Sequence, residues 1–169
     1  NENLSFKNSL YLKNINFYYK NNFKIFENAE LKIKKNSKIA IMGETGIGKS
    51  TLIDIISGLL LPYSGKVEFN NININDPKNL EILRIWQNQI SYVPQSIFLS
   101  DQNIKENIAL GQNSNEINER RIIESAKAAN IHNFINKEPQ RYDTKIGENG
   151  IRLSGGQRQR IGIARALYR

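Results

Sequence analysis

Apolar and polar positions follow one rhythm up to Gln95 and another beyond it. In the first part, Tyr11 to Tyr19 has strand-like spacing, and Ala29-Glu30-Leu31-Lys32-Ile33-Lys34 alternates apolar with charged, the period-two signature of a half-buried strand. Lys35-Asn36-Ser37 reads as a turn. Ile39-Ala40-Ile41-Met42 is a short, continuously apolar run of the kind that is buried on both faces of a parallel sheet, and Gly43 ends it. Leu52, Ile55, Ile56 and Leu59 then fall at helical spacing and predict a helix from near Lys49, stopped by Gly58 and Pro62. Lys66 to Phe69 reads as a strand closed by Asn70-Asn71. Pro77 with Leu80, Leu83 and Arg84 predicts a short helix with proline in its first turn. Ile90-Ser91-Tyr92-Val93 reads as a second buried strand, ended by Pro94.

Beyond Gln95 the period becomes helical. Ile104 to Leu110, Asn115 to Asn130 (through Ile122, Ala126 and Ala129), Ile131 to Asn136 and Arg158 to Tyr168 all carry it. The expectation is an α/β chain with two parts: about 1–95 holding the strands and their core, and about 96–162 forming a helical subdomain. No internal repeat or low-complexity linker interrupts it.

Two glycine-rich stretches supply the chemistry. In Gly43-Glu44-Thr45-Gly46-Ile47-Gly48-Lys49-Ser50-Thr51, two glycines bracket four residues and Lys-Ser follows, between an apolar run and an amphipathic helix. A loop that wraps a polyphosphate with successive N–H groups needs the backbone freedom of Gly43, Gly46 and Gly48. The following helix aims its positive dipole end at the same anion. In that arrangement Lys49 neutralises phosphate charge and is a candidate catalytic residue; Ser50 offers a hydroxyl to Mg²⁺ and Thr51 assists at the phosphates. The second stretch is Leu153-Ser154-Gly155-Gly156-Gln157, where Ser154 is a natural N-cap and two glycines leave backbone N–H groups accessible. Two anion-binding helix starts in one chain fit two surfaces that close on one triphosphate.

These motifs, over nearly the whole length, resemble the nucleotide-binding domain of ATP-binding cassette (ABC) transporters. The resemblance implies a P-loop ATPase core with an antiparallel β subdomain and a helical subdomain carrying the signature motif Ser154-Gly155-Gly156-Gln157. It implies ATP and Mg²⁺ as ligands, with Tyr19 of Phe17-Tyr18-Tyr19, or alternatively Tyr18, stacking on adenine. Tyr92-Val93-Pro94-Gln95 resembles the Q-loop, which gives Gln95 a role at Mg²⁺ and the attacking water. Gly147-Glu148-Asn149-Gly150 and Asn107-Ile108-Ala109-Leu110-Gly111 resemble exporter-type segments, and Glu148 stands at the position that reaches the coupling helices. The implied partners are a transmembrane domain, fused or separate, and a second nucleotide-binding domain whose ATP the signature loop caps. The implied location is the cytoplasmic face of the cell membrane, and the implied task is export or lipid flipping. An importer ATPase, or an ABC ATPase acting on nucleic acid or ribosomes, is the alternative.

Two family features are missing. No apolar strand ending in Asp and followed by Glu (Walker B) occurs: Asp54 falls inside the first helix and Asp143 follows a polar segment. His132, the only histidine, falls in the helical part and reads as a surface or packing residue rather than the family's switch histidine. The chain starts at Asn1, has Met42 as its only methionine, and stops at Arg169 inside a helical pattern, so it reads as a piece of something longer. The strands at Ile39–Met42 and Ile90–Val93 are then expected to flank a gap, and the piece alone to be poorly stable and to turn over little ATP.

Composition changes this picture little. A net charge of +8 raises nucleic-acid binding, but the lysines (Lys13, Lys24, Lys32, Lys34, Lys38 among them) are scattered rather than gathered on one face, so no nucleic acid is expected. Zero cysteines exclude disulfides and thiolate metal sites, and no apolar run nears the roughly 20 residues of a membrane span.

Overall fold

A computed structural model describes residues 9–19 and 23–169, with only the backbone of Asn149. The chain divides into two compact units, one up to Ile90 and one from Ser91 to Arg169.

The first unit is built on a four-stranded antiparallel sheet of order β2-β1-β3-β4, comprising β1 (Ser9–Tyr19), β2 (Phe23–Lys34), β3 (Ser64–Phe69) and β4 (Ile72–Asn73). Alternation sets the register: Leu10 pairs with Ile33 and Phe69, and Leu12 with Leu31 and Val67, so one face collects the apolar residues. Helix α1 (Lys49–Ile56) adds Ile55 and helix α2 (Leu80–Asn88) adds Trp86 to the core of Leu10, Leu12, Ile15, Phe17, Val67, Phe69 and Ile74. Trp86 closes this core with its ring 4.8 Å from that of Phe69, while its indole N–H donates to the Ile56 carbonyl at 2.8 Å. Its polar edge is thereby satisfied where its body is buried. Asn70 and Asn71, at φ 50° and 68°, make the tight β3–β4 turn; asparagine tolerates this left-handed backbone better than most residues.

Two expected strands are absent. Ile39–Met42 and Ile90–Val93 form no ladder with any described strand, and Ile39, Met42 and Tyr92 are exposed at 46%, 89% and 56%. An apolar run becomes a buried strand only between two paired neighbours, and the sheet offers these segments none. Leu59, expected on the buried face of α1, is exposed because the helix ends at Ile56 and Gly58 turns left-handed at φ 70°.

The second unit is helical: α3 (Ile104–Ile108), α4 (Glu119–Ala128), α5 (His132–Ile135) and α6 (Gly155–Tyr168). Leu99, Ile104, Ile108, Ile122, Ala126, Ile131, Ile135, Ile146, Leu153, Ile161 and Ala164 make one core. Caps fix where the helices begin. Asn103 accepts from the Glu106 N–H at 2.9 Å while the Glu106 carboxylate accepts from the Asn103 N–H at 3.3 Å. Asn118 caps α4 by accepting from the Arg121 N–H, so the helix expected from Asn115 starts only at Glu119. His132 is a packing residue: its Nδ1 lies 2.7 Å from the Tyr142 hydroxyl and its Nε2 2.9 Å from the Asn136 amide. Burial pushes the Tyr142 hydroxyl up to about 12.

Candidate functional site

The loop from Gly43 to Thr51 takes its shape from three glycines at φ 155°, 88° and 104° (Gly43, Gly46, Gly48). Gly48 immediately precedes α1 and is doubly constrained: its backbone is left-handed, and a Cβ there would collide with Ile25 Cγ2 and press Phe26 Cζ, both on β2. Sheet and loop are therefore in direct contact. Neither a side-chain cap nor an acidic residue occupies the first turn of α1, so its leading N–H groups keep their positive end available to an anion. Lys49 folds back across the loop, its ammonium donating to the Gly43 carbonyl at 2.9 Å and the Glu44 carbonyl at 2.6 Å. Glu44, Thr45, Gly46, Ile47 and Ser50 are exposed.

The two tyrosines offered for adenine stand in different settings. Tyr19 is 46% exposed, edge-on to Phe17, and its hydroxyl lies 2.9 Å from the hydroxyl of Thr51 on α1. Its ring therefore stands beside the phosphate loop with area to spare. Tyr18 packs edge-on against Tyr63 instead. Thr51 itself is buried, so its hydroxyl serves this tyrosine contact.

In the second unit, Ser154 and Gln157 form a reciprocal capping box at the head of α6. The Ser154 hydroxyl accepts from the Gln157 N–H at 3.2 Å, and the Gln157 side chain accepts from the Ser154 N–H at 2.7 Å. As an acceptor in that bond, the Ser154 hydroxyl keeps its own proton to donate. Gly155 and Gly156 are exposed, and a Cβ at Gly156 would meet open space. Gln95 lies exposed in irregular chain. Glu148 is exposed in the turn Glu148–Gly150, entered through Gly147 at φ 75°. The side chain of Asn149 lies outside the described residues.

Three residues have supporting contacts that the motifs do not reveal. Arg158 braces the signature loop by donating to the Leu153 carbonyl at 3.0 Å. Arg165 on α6 donates from Nε to the Asn107 carbonyl at 2.8 Å, and Asn107 is wholly buried. Besides its place in the Asn107–Gly111 segment, Asn107 shares the apolar stripe of α3 with Ile104 and Ile108, at helical spacing.

Among the described residues no group of three or more His, Cys, Asp or Glu could hold a metal ion. The oxygen donor that the loop itself presents is the exposed hydroxyl of Ser50. A hard, neutral oxygen of that kind suits Mg²⁺ that arrives with phosphates to complete its shell. Nor, among the described residues, is any helix long and apolar enough to cross a membrane.

Comparison with known proteins agrees with this geometry. The sequence pattern of the family described as ABC transporter matches residues 26–169. The chain is 42% identical over 157 residues to an uncharacterized ABC transporter ATP-binding protein of Sinorhizobium fredii, covering 93% of this chain and 26% of that protein. It is 42% identical over 156 residues to an ATP-dependent lipid A-core flippase of Coxiella burnetii, covering 92% and 26%. A solved bacterial Atm1-family ABC exporter with ATP bound matches with a TM-score of 0.83 and 31% identity, over 96% of this chain and 28% of that one. The chain thus spans about a quarter of the length of these relatives.

Proposed function

Since this chain belongs to the ABC transporter family, within its ATP-binding domain, we propose that it binds and helps hydrolyse MgATP to drive an exporter- or flippase-type transporter at the cytoplasmic face of a membrane. The observation that carries the reading is the Gly43–Thr51 loop, with its left-handed glycines, its uncapped helix start and a lysine already lying across its carbonyls. The loop amides and Lys49 hold the β- and γ-phosphates; Tyr19 stacks on the base; Ser50 would offer its hydroxyl to Mg²⁺. The metal supplies charge neutralisation at the transferred phosphoryl group, and Gln95 orients the attacking water. The exposed glycines and free hydroxyl proton at the head of α6 offer a second set of donors. They serve the γ-phosphate of ATP held by a second nucleotide-binding domain, so two domains close around nucleotide and part when the γ-phosphate leaves. Glu148, on its exposed turn, passes that closure to a transmembrane domain. Relatives described as a flippase and an exporter favour this direction of transport.

Calorimetry of MgATP binding to the intact protein, wild type and Lys49→Ala, tests the reading. Losing one charge-assisted hydrogen bond costs about 1.5–3 kcal/mol, so affinity should fall roughly 10- to 150-fold. Equal affinity in the two proteins would sink it.

A further inference from the structure

The chain leaving Gln95 is held at three successive points within the second unit: on the signature helix, on the turn before it, and on α3. Ile97 packs against Gly162 of α6 so closely that a Cβ there would sit 2.5 Å from Ile97 Cδ1. Leu99 packs beneath Gly150, where a Cβ would lie 2.7 Å from Leu99 Cδ1, three residues before the signature loop begins at Leu153. Ser100 is held by Asn107. The Asn107 side chain accepts from the Ser100 N–H at 2.9 Å and from its hydroxyl at 3.3 Å, and donates to the carbonyls of Ser100 at 3.1 Å, Gln102 at 3.4 Å and Asn103 at 3.0 Å. The main-chain carbonyl of Asn107 accepts from Arg165 Nε of α6 at 2.8 Å.

An amide with no exposure is costly to bury unless its hydrogen bonds are made, and here they all go to one short loop. We infer that Asn107 is a positioning residue: it clamps the Ile97–Asn103 segment, and with it the exit from Gln95, onto α6, so that Gln95 and the signature loop answer nucleotide as one body. The inference rests on the nucleotide-facing roles proposed above for Gln95 and for residues 154–157. Arg165 completes the clamp from the helix side, and burial lowers its guanidinium from the ordinary value. Asn107 itself touches no nucleotide in this scheme.

The test uses the full-length protein in a background whose only cysteines are Phe98→Cys and Gln159→Cys, both exposed positions, carrying spin labels for distance measurement. With native Asn107 the label separation should be single and narrow, and equally so with and without MgATP. Asn107→Ala should broaden it and lower kcat for ATP hydrolysis about tenfold, with MgATP affinity held within about twofold. A purely structural role would instead lower the amount of folded protein and leave kcat per folded molecule unchanged. An unbroadened distance in Asn107→Ala, or an unchanged kcat, overturns the inference. If that variant fails to fold, Arg165→Met decides, since it cuts only the tie from α6: broadening supports the clamp and an unchanged width refutes it. Should the wild type bind no MgATP, the proposed function fails, whereas the label distance still reports separately on the clamp.

Discussion

In the second unit most apolar residues close around one another: thirteen aliphatic side chains from Leu99 to Ala164 form one core, and capping boxes seal α3 and α6. Up to Ile90, the sheet and its two helices do the same for Leu10 to Trp86, but the stretch between β2 and β3 does not. There Ile39, Met42, Ile47, Leu59, Leu61 and Tyr63 are all exposed, Met42 at 89% and Tyr63 at 82%. The contrast separates two ways of using hydrophobicity. Short helices joined by capped turns bury their stripes against near neighbours, so the helical core of the second unit satisfies its own demands. A central parallel strand makes no such local bargain, because both its faces and both its edges must be met by chain from elsewhere.

Amide hydrogen exchange on the intact protein would sharpen or break that contrast most strongly. If neighbouring strands cover Ile39–Met42 there, its amides become as protected as those of Ile161–Leu167. If the segment stays irregular, the two differ by orders of magnitude in rate. Core truncation comes next in size. Ile161→Ala should cost about 2–5 kcal/mol, against less than about 0.5 kcal/mol for Ile39→Ala in its exposed setting; pulse proteolysis compares them. A large cost at Ile39 would show that it is buried in the working protein. Ser154→Ala removes one cap from α6 and should cost about 1 kcal/mol, while Ser154→Thr stays near the wild type. The smallest effect concerns Tyr142. Its hydroxyl, raised by burial from 10.0 to about 12, stays protonated in the fold at a pH where the unfolded chain has already lost the proton. Stability from this group is full below pH 10 and declines between about pH 10 and 12; Tyr142→Phe should flatten that limb in a pH-resolved melt.

The helical unit was legible in the sequence because its signals are local. Ser154 and Gln157, three residues apart before an apolar stripe, announce α6, and Leu31-Lys32-Ile33-Lys34 announces the half-buried edge of the sheet. The glycine loop was legible for the same reason, since Gly43, Gly46, Gly48 and Lys49 carry their geometry within nine residues. Ile39–Met42 shows where that legibility stops. Four apolar residues promise a strand, but strandness belongs to a pair, and no residue inside the run encodes the partner. Asn107 marks the opposite failure, a polar side chain whose importance appears only when its acceptors, from Ser100 to Asn103, fold back onto it.

One contact reaches further than its chemistry. Ile25 has no polar group and stands 23 positions before Gly48, yet its methyl fills the space a side chain at Gly48 would need. The wall behind the proposed anion cradle is therefore partly aliphatic and donated by the sheet. A larger residue at Ile25 would reshape that wall from behind, so in the proposed scheme this greasy position bears on nucleotide affinity as well as on folding.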